Sequence, residues 1–151
     1  MKILEEFVKI GIRFQRARTT SPARNKVGGN LTVGPKAKIT ADSKGLPTGA
    51  GLGDTTGGGH GATYGGRGSG NNAVCYGSVK HPCDVGAGAY FQAPSAVTRG
   101  GGCVMLTVDG IARIDGAVSA SADFSTAQSD FSQAYAQSGG TVAITAATIT
   151  G

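Results

Sequence analysis

Two histidines and three cysteines are the most reactive side chains of this 151-residue chain, and their spacing limits the chemistry they can do. His60 and His81 could join Cys75, Cys83 and Cys103 on a metal ion, but the cysteines are eight and twenty residues apart and no CxxC pair occurs. Zinc draws on close ligand pairs held by a turn, so no metal is expected. Nucleophilic catalysis needs a Ser, Thr or Cys beside a base that a third group orients. His60, His81 and Asp84 could gather near Ser78 or Cys83. No motif links them, however, and glycine-rich loops hold catalytic geometry poorly. A histidine in such a loop more often bonds backbone carbonyls than acts as a base. The stretch GAGLGD lacks the strand before it and the helix after it that a dinucleotide site needs, and no GK[ST] follows. The expectation is a chain without enzymatic activity and without a cofactor. Cys75 and Cys83 flank an excursion holding Gly77 and Pro82, which a disulfide would restrain in an oxidising compartment. The alternative is three free, small, buried cysteines, and the odd count leaves at least one of them free.

These groups must be positioned by elements whose pattern is clearest in LTVDGIARIDGAVSA, residues 106 to 120. Its apolar residues fall in pairs six apart: Leu106 and Val108, Ala112 and Ile114, Val118 and Ala120. Alternation within a pair is the period of a strand with one buried face. Asp109 with Gly110, and Asp115 with Gly116, are steps at which a chain bends. Residues 31 to 41, LTVGPKAKITA, repeat the offsets with Leu31, Val33, Ala37 and Ile39, and bend at Gly34 and Pro35. In TVAITAATITG, residues 141 to 151, the pairs Val142/Ile144 and Ala147/Ile149 are five apart. Repeated short strands and corners predict an all-β fold, a single-stranded parallel β-helix or β-solenoid with long glycine-rich loops. A short helix is expected near each end. Such coils stack about 4.8 Å apart around an apolar column, and this chain would be part of a longer array.

Composition agrees with thin walls. There are 27 glycines, no tryptophan and 6% aromatic residues, and the apolar content is mostly Ala, Val and Ile. The net charge is +5, but residues 1 to 50 hold ten Lys and Arg against three acids, whereas the remainder holds four against six. The repeats therefore carry no basic stripe, and nucleic acid is not an expected partner. Two domains are assigned: a basic amphipathic lead-in at 1–26 and a glycine-rich β-solenoid at 27–151. The lead-in has Ile3, Phe7, Ile10 and Phe14 at helical spacing, although Val8, Ile10, Ile12 and Phe14 also alternate. It is too charged and short for a membrane span and lacks a signal peptide's apolar core. It is either a poorly packed start or a helix that lies on an anionic membrane through residues 1–18, or caps the first coil. Near the other end, Ser125 could cap a helix that places Phe124, Ala127, Phe131, Ala134 and Tyr135 largely on one face. An ordered loop covering the column is the alternative.

The order Gly57, Gly58, Gly59, His60, Gly61, then Gly65, Gly66, Arg67, Gly68, then Tyr76, Gly77, Ser78, Pro82, Asp84, Gly86 and Gly88, then Gly100, Gly101 and Gly102 before VMLTVDGIARIDGAVSA, resembles a glycine-rich parallel β-helix module of large secreted or cell-surface proteins. The likeness spans residues 27 to 122. It departs at the three cysteines and after residue 122, where DFSTAQSDFSQAYAQSGG replaces a glycine-rich loop. The resemblance implies an extracellular or cell-surface structural or adhesive module that presents loops on a rigid stack, with surface glycans or further solenoid coils as partners. The alternative is a carbohydrate-binding or polysaccharide-processing β-helix domain, in which His60, Arg67, Tyr76 and Asp84 would meet the ligand. Processing enzymes of that class cluster carboxylates or basic groups on one face. Here acids are sparse, and Asp109 and Asp115 read as turn residues.

Overall fold

The computed structural model describes residues 24 to 51, 61 to 68, 74 to 78, 80 to 89, 98 to 122 and 137 to 151. Its strands are β1 (Arg24–Val27), β2 (Leu31–Val33), β3 (Lys38–Thr40), β4 (Cys103–Ile114), β5 (Ala117–Ser119) and β6 (Thr141–Thr150). β4 is the centre. One of its edges bonds β1 along its first half and β2 along its second, and the other edge bonds β6, all parallel. β3 and β5 form a separate two-stranded parallel sheet.

The pairs Leu31/Val33 and Leu106/Val108, with Ala112, form the buried face. Leu31, Val33, Val104, Leu106, Val108 and Ala112 make the core, and Val27, Ile39, Ile114, Val118, Ile144 and Ala146 pack against it. Parallel in-register pairing brings like side chains over one another: Val142 lies beside Val104, Ile144 beside Leu106 and Ala146 beside Val108. Burial falls off towards β6, where Val142 is 43% and Ile149 56% exposed, while Leu31, at the far side of the same row as Ile149, is 1% exposed. Ala37, expected inside, is exposed; Ala147, expected inside, is exposed and Ala146 takes its place.

The expected single-stranded parallel β-helix is not formed. The described residues make two small sheets of short strands, with no helix among them, and neither sheet winds into a solenoid or closes. Two physical reasons account for the difference. Among the described residues the long strands β4 and β6 form where Val, Leu and Ile recur, whereas the glycine-rich segments provide isolated bridges, Leu46 to Ala87 (parallel) and Pro47 to Arg99 (antiparallel). And one of the expected corners is not a corner. A spacing of six is even, so Leu106, Val108, Ala112 and Ile114 share a face on an unbroken strand, and β4 continues through Asp109 and Gly110 without turning a corner. The ladder holds there because Gly110 donates its amide to Gly29 O at 2.9 Å. Ile111 donates to Asn30 Oδ1 at 2.8 Å, and Lys26 reaches Asp109 at 3.2 Å.

The corner at Asp115 and Gly116 is real. Both amides turn onto Val33 O, at 2.8 and 3.0 Å, and a Cβ on Gly116 would strike the carbonyls of Gly34 and Ala37. The corner at Gly34 and Pro35 also forms, closed by Ala37 donating to Gly34 O at 2.8 Å. The odd spacing of five in β6 is taken up as a register shift against β4 between Val108 and Ile111.

Asp42 ties the two strands of the smaller sheet to the chain beyond. It accepts from Lys38 Nζ at 2.8 Å, from the Ser121 amide at 2.7 Å and from Ser119 Oγ at 3.0 Å. Those donors, Lys38 foremost, hold its carboxyl well below the usual carboxylate range. The expected helices, at the start of the lead-in and at 124 to 135, lie outside the described residues, as does the segment proposed for membrane contact. β1 begins at Arg24, so the sheet includes the last residues of the stretch assigned to the lead-in.

Candidate functional site

Glycines assemble the surroundings of the candidate residues. At the start of β4 the backbones of residues 86, 101 and 140 meet: Gly86 donates to Gly101 O at 2.8 Å, Gly101 to Ser138 O at 3.0 Å and Gly140 to Ala120 O at 2.8 Å. A Cβ on Gly86 would collide with the carbonyl of Gly139, one on Gly101 with that of Ala120, and one on Gly140 with that of Gly102. Close backbone approach is what these glycines provide. Hydroxyls pin the same bed. Thr48 Oγ1 and Thr98 Oγ1 each donate to Ala89 O at 2.8 Å, and buried Thr63 donates to Val74 O at 3.1 Å.

On this bed two tyrosines pack edge to face, with ring centroids 5.1 Å apart. Tyr76 donates its amide to Tyr64 O at 3.1 Å and its hydroxyl to Val85 O at 2.8 Å. Tyr64 donates its hydroxyl to Asp84 O at 3.1 Å and also meets Thr141 Oγ1, at the start of β6. Gly77, at φ 89°, lies flat against the Tyr64 ring, where a side chain would not fit. A cavity of about 260 Å³ opens between this loop and β6, lined by Tyr64, Ser78, Pro82, Thr141 and Val142 among others.

Of the residues singled out in the sequence, Tyr76 and Asp84 are brought together, both half-buried. Arg67 is exposed, and among the described residues no hydrogen bond or ion pair joins it to them. His60 lies outside the described residues. Cys75 is exposed, Cys83 and Cys103 are half-buried, and all three are free thiols, so Cys75 and Cys83 are not bonded to each other here. His81 donates its backbone amide to Ser78 Oγ at 3.0 Å. Sequence reasoning missed Tyr64, Thr141 and Ser138. The signal for Tyr64 was present as a repeated Tyr-Gly step, at 64 and 76.

Electrostatics make this a site of neutral donors. Burial, then Tyr64 and Asp84, push the Tyr76 hydroxyl up to about 12. Burial also raises Tyr64, partly offset by its bond to Thr141. Burial pushes the Cys103 thiol up to about 11, helped by Cys83 and Asp84 and opposed by Arg24. Desolvation disfavours the charged form in each case, so these groups stay protonated at neutral pH and are poor nucleophiles and bases. Among the described residues no group of three or more His, Cys, Asp or Glu could hold a metal ion. Likewise no catalytic constellation is identified among them.

Comparison with protein-family models, curated proteins and solved structures finds no match to this chain.

Proposed function

We propose that the chain is a structural or adhesive module of a secreted or cell-surface protein, which holds glycine-rich loops at fixed positions on a rigid parallel sheet. The observation that carries this reading is the interlocked backbone of Gly86, Gly101 and Gly140 at the start of β4, which leaves no room for a Cβ. Loops held that closely are presented rather than free to move. The tyrosine hydroxyls within the bed donate inward to carbonyls, as structural groups do, rather than outward to a reactant.

A carbohydrate-binding role is the second reading, favoured by the cavity beside Tyr64, Ser78 and Pro82. Its volume lies just under the roughly 300 Å³ at which small-molecule pockets begin. Its hydroxyls are largely engaged: Tyr64 with Asp84 O and Thr141, and Ser78 with the His81 amide. A glycan-array assay on the purified full chain, with size-exclusion chromatography to establish folding, separates the readings. The structural reading expects no saturable glycan binding by folded protein. Saturable binding that is lost on Ser78→Ala would replace it with the carbohydrate reading.

A further inference from the structure

Cys83 and Cys103 are twenty residues apart in sequence, but the segments that carry them are joined at the start of β4. The amide of Gly86 bonds Gly101 O at 2.8 Å, with Cys83 three residues before that contact and Cys103 two residues after it. Both arms then reach the Tyr64 hydroxyl. One does so through Asp84 O, which accepts from it at 3.1 Å and directly follows Cys83. The other does so through Thr141, whose Oγ1 meets the same hydroxyl and which is the β6 neighbour of Cys103. Both cysteines lie near enough to the Tyr64 hydroxyl to help raise it, and Cys83 lies near enough to Cys103 to help raise its thiol. Both are half-buried, whereas Cys75 is exposed.

We propose that Cys83 and Cys103 are a redox pair that forms a disulfide, fastening the glycine-rich segment to β4 when the chain meets a low-molecular-weight disulfide. With oxidised glutathione, the Cys83 thiolate attacks one glutathione sulfur. The glutathione S–S bond breaks, a mixed disulfide forms on Cys83, and one glutathione leaves as thiolate. Cys103 then gives its proton to solvent and its sulfur attacks the Cys83 sulfur, expelling the second glutathione. Two protein thiols are oxidised and one glutathione disulfide is reduced to two thiols. Cys103, with its thiol pushed up to about 11 by burial, is a poor first attacker and acts once the mixed disulfide lies beside it.

Trypsin separates the three cysteines. Cleavage after Arg67, Lys80, Arg99 and Arg113 places Cys75 in peptide 68 to 80, Cys83 in 81 to 99 and Cys103 in 100 to 113. The folded full chain is incubated with oxidised glutathione, its remaining thiols are blocked with iodoacetamide, and it is digested without reductant for mass spectrometry. The expected product is 81 to 99 joined to 100 to 113, lighter by two hydrogens than the two peptides together. The C75S variant, altered at an exposed position, should give the same linked pair. A digest in which 68 to 80 is joined to either of the others, or in which the linked pair is absent, overturns the proposal.

Discussion

Leu31 and Ile149 lie in one row across the sheet, each beside Ala112, but Leu31 is 1% exposed and Ile149 56%. Truncating each to alanine therefore tests where the apolar face is closed. For Leu31→Ala the removed atoms are wholly buried, and the transfer and cavity costs together are about 2 to 5 kcal/mol. That is a large share of the roughly 5 to 15 kcal/mol that holds a domain folded. Ile149→Ala removes a side chain already more than half in water, and its cost should stay below about 1 kcal/mol. With a urea slope of roughly 1.5 kcal/mol per molar, a loss of about 3 kcal/mol lowers the midpoint by ~2 M, while the Ile149 change moves it by under ~0.7 M. Urea titration of both variants by far-ultraviolet circular dichroism reads the difference directly. Equal shifts, or a Leu31→Ala midpoint matching the parent, would refute the placement of the core against β2.

Further outcomes follow from single contacts. Gly101→Ala should prevent folding or cost more than about 4 kcal/mol, because its Cβ would meet the Ala120 carbonyl and the Gly140 amide. Gly34→Ala, with nothing within 4 Å, should stay within about 0.5 kcal/mol in the same melt. Asn30→Ala removes the acceptor of the Ile111 amide, so that amide should exchange faster and stability fall by about 1 kcal/mol, whereas Asn30→Asp, which keeps an acceptor, should not. The raised Tyr76 and Cys103 groups give an alkaline dependence. Their ordinary values are 10.0 and 9.0 and the fold raises them to about 12 and about 11, so the fold favours the neutral forms. Their stabilisation is complete below pH 9 and is lost as pH rises through 11 and 12. The urea midpoint should fall between neutral pH and about pH 10, and Cys103→Ser should reduce that fall; a midpoint that rises would contradict the burial of these groups.

The inward face of the sheet was readable because strand alternation is a local property. Leu31, Val33, Leu106, Val108 and Ala112 could be assigned from period alone. The overall winding was not readable, because an even spacing between apolar pairs fits both a corner and a continuous strand. What separates Asp109 and Gly110 from Asp115 and Gly116 is the neighbour across the ladder: Asn30 and Gly29 continue the bonding at the first step, and Val33 draws both amides into a corner at the second. That information sits about 80 residues away in sequence and has no local signature. The odd spacing in β6 was a truer signal, since an odd number forces a register shift. At the candidate site, Tyr76 and Asp84 were named from the sequence, but Tyr64, whose hydroxyl meets Asp84 O and Thr141, is recruited by glycine backbones whose meeting no periodicity announces.

β4 is a strand bonded on both edges, with Gly86, Gly101 and Gly140 locked together at its start. Amide hydrogen exchange on the full chain at neutral pH, read by mass spectrometry, tests this arrangement most directly. The slowest exchange is expected in residues 103 to 114, with Gly86, Gly101 and Gly140 also protected by the bonds their amides donate. Exchange across 103 to 114 as fast as in the largely exposed residues 74 to 78 would contradict it.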